Sequence, residues 1–470
     1  MTQKSPNDFF SYRVSKNLVA LKNSENQVSY KELFTNANHL AIALIKLGIK
    51  KDNYIPLLIE SGFNFIQATV ALWMIGAIPV PLNTNYLNDE IYYLVDDYEF
   101  KYLISDISFL LNKASNKTKI IYFPDLQINN ENFEFKIPKL IDKSVVIFTS
   151  GSTGRPKGIV HTFKSLINNI ENAQAILKHK KGDSWIASLP FYHIGGFQII
   201  CRALFYGCSI IIPDSLSFEN LVDSISKLKP THTSLVSAQL DKLINQKITP
   251  PKTIKVSLIG GGFVDDELMF TAAKLGWKPI KVYGSSETAS LITSITEREI
   301  RSKPESSGKP FKNIKIKVAS DSEILIKSSS LFKEYLFEKK ETDIKKKNGF
   351  YYSGDLGFLD KDGYLFVEAR RNDLIVSGGE NINPIEVEKA LKSFDFIDEA
   401  CVFPKPNKTW GQIVAAVVVS KNPDIDEKYL REKLKQKLAG FKIPKQIIFT
   451  DSLPKTSLGK LEREKIKRIY

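Results

Sequence analysis

Short apolar segments alternate with amphipathic segments along most of the chain, and this alternation predicts its secondary structure. In the first 140 residues, strands are predicted at 54–60 and 77–81, with a helix at 65–74 between them. From 145 to 300, helical stretches separate apolar runs that predict strands at 145–148, 185–189, 209–213, 233–236, 255–259 and 280–282. Strands that alternate with helices predict an α/β fold built of layers.

The pattern changes at residues 348–371, where glycines interrupt short β-like pieces such as 364–367. The rest of the chain has a helix start at 384–391, a strand at 415–419 and an amphipathic helix at 427–439. The polar tetrapeptide at 370–373 suits a hinge, since hinges are a few residues at the ends of elements. We therefore predict an N-terminal domain at 1–369, a hinge at 370–373 and a C-terminal domain at 374–470.

The chain length also indicates more than one domain, because 470 residues exceed one ordinary hydrophobic core. We expect an α/β multidomain fold, with a large N-terminal domain of layered α/β subdomains and a small α+β C-terminal domain. A hydrophobic content of 43% and a charged content of 25% are typical of soluble globular proteins. No uncharged apolar run is long enough to span a membrane, and the N-terminus lacks the apolar stretch of a signal peptide.

Basic residues outnumber acidic ones by 66 to 52, which gives a formal net charge of +14. They are spread along the chain, so we expect a solvated surface with a modest attraction for ATP and CoA, and no nucleic-acid partner. Cys201, Cys208 and Cys401 lie in apolar runs without Cys-x-x-Cys spacing, which predicts buried structural thiols and fits the cytoplasm. A homo-oligomer is possible on this sequence.

The most informative segment is a loop rich in hydroxyls and glycines after the strand predicted at 145–148. Its residues are Thr149, Ser150, Gly151, Ser152, Thr153, Gly154, Arg155, Pro156, Lys157 and Gly158. Glycines let backbone N–H groups approach an anion, and hydroxyls add further donors. Lys157 supplies a point charge that can reach a phosphoryl oxygen. The spacing differs from Walker A, yet it predicts a phosphate cradle; a flexible connection is the alternative.

This loop resembles the phosphate loop of the adenylate-forming superfamily, which includes acyl-CoA synthetases, peptide-synthetase adenylation domains and luciferases. A second resemblance lies at 282–288, after an apolar run that ends in Gly260, Gly261 and Gly262. A tight turn would explain the three glycines alone, whereas the resemblance implies that adenine approaches their bare backbone.

The same resemblance assigns roles in the second segment, which contains Tyr283, Gly284, Ser285, Ser286, Glu287 and Thr288. It implies that Tyr283 stacks on adenine, Thr288 bonds the α-phosphate and Glu287 holds Mg²⁺, with Gly284 and Ser285 in the nucleotide-binding turn. Mg²⁺ favours one or two carboxylates together with phosphate oxygens, which agrees with a single glutamate here.

Three further matches follow in the superfamily's order. Asp355, in the string at 352–357, is implied to bind both ribose hydroxyls, and an ionised carboxylate can accept two charge-assisted bonds. Arg370 is implied to lie near the nucleotide, although Arg371 adjoins it, and Asn372 or Asp373 would be the pivot. Gly378 and Gly379 would line the entry for the thiol. Lys460, in the string at 453–461, is implied to be the lysine of adenylation, on a mobile domain.

The acid is indicated by residues 189–197, which resemble the acyl-pocket motif and place His193 at the mouth of the acid site. Arg202 interrupts an apolar run, so it is either a partner in a structural salt bridge or the receptor of a second substrate carboxylate. Residues 231–240, which include the candidate Ser237, resemble a stretch of o-succinylbenzoate–CoA ligases from quinone biosynthesis.

The resemblance thus implies an AMP-forming acid–CoA ligase that uses ATP, Mg²⁺ and CoA. Its first half-reaction forms an acyl-adenylate and pyrophosphate, and its second forms a thioester. The favoured acid is o-succinylbenzoate, in menaquinone or phylloquinone biosynthesis. A medium-chain fatty acid or an aryl acid is the alternative substrate. A non-catalytic nucleotide-binding regulator is a distant alternative, because a regulator has no use for Lys460 and Glu287.

Overall fold

The computed structural model describes residues 4–86, 88–107, 118–126, 134–149, 156–370, 373–377, 380–407, 411–456 and 459–470. Its α-helices are α1 (Tyr30–Lys46), α2 (Gly62–Ile75), α3 (Asn88–Asp97), α4 (Phe163–Leu177), α5 (Ile194–Tyr206), α6 (Phe218–Leu228), α7 (Ser237–Asn245), α8 (Asp266–Lys274), α9 (Glu297–Ile300), α10 (Lys339–Lys345), α11 (Pro384–Lys392), α12 (Glu427–Leu434) and α13 (Arg463–Ile469).

The strands in these residues are β1 (Val19–Lys22), β2 (Gln27–Ser29), β3 (Tyr54–Leu58), β4 (Ile78–Pro81), β5 (Tyr102–Ser105), β6 (Lys119–Tyr122), β7 (Lys143–Thr149), β8 (Lys157–Thr162), β9 (Ser184–Ile186), β10 (Ser209–Ile211), β11 (His232–Leu235), β12 (Val256–Ile259), β13 (Pro279–Ser285), β14 (Ser290–Thr296), β15 (Lys309–Pro310), β16 (Lys315–Val318), β17 (Glu323–Lys327), β18 (Glu334–Tyr335), β19 (Lys346–Lys347), β20 (Phe350–Leu359), β21 (Leu365–Arg370), β22 (Ile375–Ser377), β23 (Glu380–Ile382), β24 (Ile397–Asn407), β25 (Gly411–Ser420) and β26 (Gln446–Phe449).

The chain divides into two compact units, which are formed by residues 1–315 with 327–351 and by residues 316–326 with 352–470. The second unit therefore begins earlier in the chain than the predicted boundary at 369–373, and it takes in a short excursion at 316–326. This grouping does not say where the chain pivots, so the hinge at 370–373 stays a prediction.

The first unit is organised around a nine-stranded sheet in the order β15–β14–β13–β12–β11–β9–β10–β1–β2. Its strands from β13 to β1 are parallel to their neighbours, and the remaining strands at both edges are antiparallel. The unit also contains a four-stranded parallel sheet (β4–β3–β5–β6), an antiparallel sheet (β18–β8–β7), and β19 paired with the start of β20. The predicted layered α/β architecture is confirmed.

Two helices of this unit matter for the site, and local sequence sets their ends. α4 begins at a capping box in which Thr162 accepts from the backbone N–H of Ser165 and the Ser165 hydroxyl accepts from that of Thr162. α5 begins after His193 and ends at Gly207, which has φ of 68°. Both helices bury apolar faces, and both also bury polar side chains that the site uses.

The second unit contains β16, β17, most of β20 and β21, followed by a mixed sheet in the order β23–β22–β25–β24 with β26 beside β25. Apolar side chains of α11 and α12 pack on this second sheet with Val402, Val414, Ala416 and Val418. The expected α+β character is confirmed. The helix predicted at 427–439 ends at Leu434, because the N–H groups of Gln436 and Lys437 bond three residues back and tighten the chain into turns.

Two smaller expectations can be compared with the structure. Cys201, Cys208 and Cys401 are buried and free of disulfides, which confirms the prediction of buried thiols. Burial raises the pKa of Cys208 and Cys401 to about 12, so these thiols stay protonated. Within the described residues, no helix combines the length and the apolar character needed to cross a membrane.

Candidate active site

The predicted phosphate loop joins β7 to β8, which pair as an antiparallel hairpin with Thr149 opposite Lys157. Ser150, Gly151, Ser152, Thr153 and Gly154 lie outside the described residues, as does Arg155. The structure thus fixes the two ends of the loop, and the phosphate contacts of its interior stay a prediction.

Lys157 has a carboxylate partner at the base of this loop. Its Nζ lies 2.9 Å from Oε1 of Glu341 in α10, and both side chains are about one-quarter exposed. The same ammonium lies 5.7 Å from the centre of the Tyr335 ring. A cation that is held beside the loop by a carboxylate can exchange that partner for a phosphoryl oxygen.

The predicted adenine turn and the predicted nucleotide segment lie side by side at the carboxyl ends of parallel strands. Residues 260–262 follow β12, whose neighbour β13 carries Tyr283 near its end, with Ile259 opposite Lys281. A Cβ on Gly260 would lie 2.9 Å from the Val282 side chain, so the glycine turn touches the strand that carries Tyr283. In open α/β sheets, ligands bind at this end of the strands.

The chain makes a sharp reversal directly after β13. A Cβ on Gly284 would lie 1.9 Å from the carbonyl oxygen of Ser290, so only glycine fits where β13 passes β14. Ala289 and Ser290 have φ of 58° and 105°, which are left-handed values that non-glycine residues rarely adopt. Gly261 also has a positive φ, of 85°.

Thr288, the predicted ligand of the α-phosphate, is fully buried and bonded locally. Its hydroxyl accepts from the N–H of Ser285 at 2.9 Å and lies 2.6 Å from the carbonyl oxygen of Ser290. In this structure it therefore closes the turn, and the α-phosphate contact stays a prediction. The Ser285 hydroxyl is buried and has no hydrogen-bond partner in the described structure.

Glu287, the predicted ligand of Mg²⁺, is half-buried with one oxygen engaged. Tyr335 donates from its hydroxyl to Oε1 of Glu287 at 3.1 Å. Among the described residues, no cluster of three or more His, Cys, Asp or Glu side chains could hold a metal ion. A hard carboxylate oxygen that adds to phosphate and water oxygens suits Mg²⁺, so Glu287 fits its predicted role.

Three buried side chains that the sequence analysis missed hold the backbone of residues 286–291. His161 Nε2 bonds the carbonyl of Ser286 at 2.8 Å, and burial lowers the pKa of His161 to about 4. Asn169 donates to the carbonyls of Thr288 and Leu291 at 3.2 and 2.8 Å. Gln198 donates to the carbonyl of Ala289 at 2.9 Å. Their signal in the sequence was a polar residue inside an apolar run, which also describes many ordinary core positions.

The predicted acid site lies around the start of α5. His193 precedes the first turn of this helix, and its ring centre lies 4.7 Å from that of Tyr192. A Cβ on Gly196 would lie 2.1 Å from the carbonyl oxygen of Pro190, so the helix packs directly on the segment before it. Ser237 opens α7 and donates its hydroxyl to the carbonyl of Phe263 at 2.7 Å.

Arg202, two turns further along α5, is 1% exposed and has no carboxylate partner among the described residues. Its Nη2 donates to Oδ1 of Asn169 at 3.4 Å, its guanidinium lies 5.3 Å from the centre of the Trp185 ring, and its Nε has no partner. Burial lowers the pKa of Arg202 to about 10. Arg202 therefore forms no salt bridge within the described residues, which was the alternative role considered for it.

The second unit brings together two residues predicted from separate motifs. Asp355 in β20 lies opposite Arg370 in β21, and Arg370 Nε donates to Oδ1 of Asp355 at 2.9 Å. The aspartate side chain is 8% exposed and the arginine side chain is 60% exposed. Gly354, with φ of 77°, precedes Asp355 in the strand. A buried carboxylate beside an exposed guanidinium is a suitable receptor for vicinal hydroxyls.

Lys460 lies in a turn that is closed by a bridge between Lys455 and Leu461, and Gly459 has φ of 76°. Its side chain reaches solvent, yet its pKa is lowered by desolvation first and then by the neighbouring charges of Arg370 and Arg463. Arg463 is itself held by two bonds of 2.6 Å to Glu388 in α11. Arg371, Asn372, Gly378 and Gly379 lie outside the described residues.

Known protein families account for both units. The AMP-binding enzyme family matches residues 11–336, and the C-terminal domain of AMP-binding enzymes matches residues 386–460. The chain belongs to the AMP-binding enzyme family. The resemblance to adenylate-forming enzymes is therefore confirmed.

Individual relatives match over their whole length. The chain is 32% identical to the 2-succinylbenzoate–CoA ligase of Listeria innocua over 459 residues, with 97% of each chain covered. It is 28% identical to the o-succinylbenzoate CoA synthetase (MenE) of Bacillus subtilis in complex with the acyl-adenylate intermediate OSB-AMP, with a TM-score of 0.92 and 99% of each chain covered. The same synthetase in complex with ATP and a magnesium ion matches with a TM-score of 0.91.

We expect Asn169→Leu to lower the free energy of unfolding by about 1–3 kcal/mol, because it leaves buried carbonyls without a donor. The KM for ATP should rise as well, since residues 286–291 lose an anchor. Asn172→Leu is the matched control on the same helix, because Asn172 bonds only the exposed Asn313 among the described contacts. Thermal unfolding and ATP–pyrophosphate exchange measure both effects; equal results for the two variants would contradict the anchoring role.

We expect Asp355→Asn to raise the KM for ATP roughly ten- to a hundred-fold, since charge-assisted hydrogen bonds contribute about 1.5–3 kcal/mol. Asp362→Asn, in the exposed turn between β20 and β21, should leave this KM unchanged. Steady-state kinetics at saturating acid measure the effect. An unchanged KM for Asp355→Asn would mean that this carboxylate serves only to hold Arg370.

Proposed function

We propose that this protein is an o-succinylbenzoate–CoA ligase of menaquinone or phylloquinone biosynthesis. It converts o-succinylbenzoate, ATP and CoA to o-succinylbenzoyl-CoA, AMP and diphosphate. The observation that carries the proposal is the similarity over 97% of both chains to ligases named for this acid, with the predicted motifs in their order. The buried and unpaired thiols fit the reducing cytoplasm, where we place the enzyme.

The reaction runs in two displacements. In the first, a carboxylate oxygen of the acid attacks the α-phosphorus of ATP, and pyrophosphate leaves with the electrons of the broken P–O bond. In the second, the CoA sulfur attacks the acyl carbon, and AMP leaves from the tetrahedral intermediate. Phosphoryl transfer depends chiefly on positioning and on charge stabilisation.

The side chains of the first unit are suited to position the nucleotide. Lys157 would exchange Glu341 for a phosphoryl oxygen, and the turn at 260–262 beside Tyr283 would receive adenine. Bound Mg²⁺ would neutralise charge on the phosphates. Glu287 would present its oxygen toward that ion, and residues 150–154 would cradle the phosphates from their loop.

In the second unit, Asp355 would accept from the ribose hydroxyls while Arg370 remains beside it. Lys460 would approach the carboxylate and the α-phosphate during adenylation. We propose that the C-terminal domain then rotates about residues 370–373 and carries Lys460 away from the reacting atoms. We also propose that Gly378 and Gly379 line the entry of CoA. The pKa of Lys460 is lowered by desolvation and by Arg370 and Arg463, whose positive charges also favour an anionic ligand nearby.

Arg202 supports the identity of the acid. A guanidinium that is 1% exposed and lacks a carboxylate leaves an uncompensated charge in the core. o-Succinylbenzoate carries a second carboxylate, which could supply the missing partner if the packing around α5 opens to admit it. A medium-chain fatty acid or a simple aryl acid offers no such group, so these alternatives leave Arg202 unexplained.

A ligation screen tests the proposed acid directly. Thioester formation from CoA and ATP is measured over o-succinylbenzoate, benzoate and fatty acids of four to twelve carbons. We expect o-succinylbenzoate to give the highest kcat/KM. A preference for benzoate or for a fatty acid would replace the proposed acid and leave the ligase chemistry in place.

We expect Arg202→Met to reduce kcat/KM for o-succinylbenzoate by a factor that corresponds to about 2–5 kcal/mol, the usual cost of losing one buried charge contact. The KM for ATP should change far less than the kcat/KM for the acid, because Arg202 reaches residues 286–291 only through the Asn169 amide, which keeps its own bonds to their carbonyls. Arg298→Met removes an exposed arginine of the same unit and should have no effect. A monocarboxylic analogue should be a poor substrate for the wild type and should be nearly indifferent to the substitution. Full activity of Arg202→Met would refute this role.

We expect Lys460→Ala to slow adenylation by about 10²–10³, the usual effect of removing one group that stabilises transition-state charge. Thioester formation from supplied acyl-adenylate should persist, because Lys460 is proposed to act only in the first step. Lys455→Ala, in the same turn and paired with Glu399, is the control. Equal loss of both half-reactions would contradict a separate role for Lys460.

A further inference from the structure

Tyr335 lies between two side chains of the proposed site, although no motif of the sequence drew attention to it. Its hydroxyl donates to Oε1 of Glu287 at 3.1 Å, and its ring centre lies 5.7 Å from Nζ of Lys157. Lys157 in turn contacts Glu341 at 2.9 Å. One tyrosine thus contacts both the proposed ligand of Mg²⁺ and the proposed phosphate lysine.

Neighbouring elements fix this tyrosine in place. β18 pairs with β8, so that Tyr335 lies opposite Ile159, and the backbone N–H of Tyr335 donates to the Thr342 hydroxyl at 2.9 Å. The ring contacts that of Phe332 with centres 4.7 Å apart, and the residue is 4% exposed. A buried ring with a paired backbone has little freedom to swing away from its polar contacts.

The geometry of the hydroxyl suits a donor. A carboxylate oxygen accepts hydrogen bonds, so the Tyr335 hydroxyl, at 3.1 Å from Oε1 of Glu287, supplies the proton of this bond. The hydroxyl of Tyr351 also bonds that of Tyr335.

We propose that Tyr335 is a positioning residue for adenylation, which orients the Glu287 carboxylate toward Mg²⁺. The inference rests on the proposed function, because it takes Glu287 as the magnesium ligand. The tyrosine hydroxyl engages Oε1 of Glu287, which would fix the carboxylate and leave Oε2 available to the ion. Hydrogen bonds of this kind orient metal ligands, and their loss typically weakens metal affinity ten- to a hundred-fold.

The ring of Tyr335 has a separate role in the same arrangement. It offers its face to the Lys157 ammonium, which it keeps beside the phosphate loop while Glu341 holds the charge. Tyr335→Phe retains this ring and removes only the hydroxyl. The substitution therefore isolates the contact with Glu287 from packing and from the contact with Lys157.

The test compares Tyr335→Phe with Tyr30→Phe. Tyr30 is a fully buried tyrosine of the same unit whose hydroxyl lies 2.8 and 2.7 Å from the carbonyls of Ala203 and Cys208. Mg²⁺ is titrated in ATP–pyrophosphate exchange, and ATP binding is measured by calorimetry at several Mg²⁺ concentrations without acid. Thermal unfolding and thioester formation from supplied acyl-adenylate are recorded for each variant.

We expect Tyr335→Phe to raise the Mg²⁺ concentration for half-maximal exchange at least ten-fold and to weaken Mg²⁺-dependent ATP binding in parallel. Thioester formation should stay near the wild-type rate. Tyr30→Phe should lower the unfolding temperature without a change in Mg²⁺ dependence. An unchanged Mg²⁺ dependence in Tyr335→Phe would overturn the inference. A parallel fall of both half-reactions and of the unfolding temperature would also overturn it, since that pattern indicates a structural role alone.

A failure of the inference about Tyr335 can be distinguished from a failure of the proposed function. If the wild type activates an acid other than o-succinylbenzoate, the proposed substrate fails, and the Mg²⁺ titration proceeds with the acid that is used. If it activates no acid, the proposed ligase activity fails. Calorimetry of ATP with Mg²⁺ then still decides whether Tyr335 supports the ion.

Discussion

The backbone carbonyls of residues 286–291 require buried hydrogen-bond donors, and the arrangement of the proposed nucleotide site in the first unit depends on this requirement. Ala289 and Ser290 have positive φ, and each such residue costs on the order of 1–3 kcal/mol. That conformation persists because Asn169 and Gln198 donate to these carbonyls from two helices of the core. Each carbonyl left without a donor would cost about 1–3 kcal/mol more. The packing of α4 and α5 thus determines the backbone conformation that carries Glu287.

The cations of the proposed site differ in their charged neighbours. Lys157 and Arg370 each have a carboxylate partner, Glu341 and Asp355, which offsets their repulsion from other cations. Lys460 lies near Arg370 and Arg463. Its pKa is lowered by desolvation first and then by the positive charges of these two arginines. Because partly exposed ion pairs contribute little stability, a phosphoryl oxygen could take the place of Glu341 beside Lys157 at small cost, as we propose.

Local pattern was sufficient to predict the alternation of strands and helices and to locate the motifs, but it could not identify the side chains that contact the motif residues. The alternation of apolar runs predicted strands such as β12 and β13, and the glycines at 260–262 predicted the turn that follows β12. Tyr335 and Glu341 meet Glu287 and Lys157 only through pairing of strands that are distant in sequence, which single-sequence patterns do not encode. The end of α12 was also predicted wrongly. Polar residues continue past Leu434, but the backbone N–H groups there bond carbonyls three residues back instead of four.

Arg202 and the backbone of residues 286–291 share the amide of Asn169, which would limit how the proposed acid site can vary. Asn169 accepts from Arg202 through its oxygen and donates to Thr288 and Leu291 through its nitrogen. Replacement of Arg202 by an apolar residue, as a neutral pocket would favour, removes the donor that fixes the orientation of this amide. The nitrogen of Asn169 would then be free to turn away from the carbonyls that it satisfies. A buried charge without a carboxylate partner is costly to stability, and it would be kept because the proposed acid site and the backbone of residues 286–291 both depend on it.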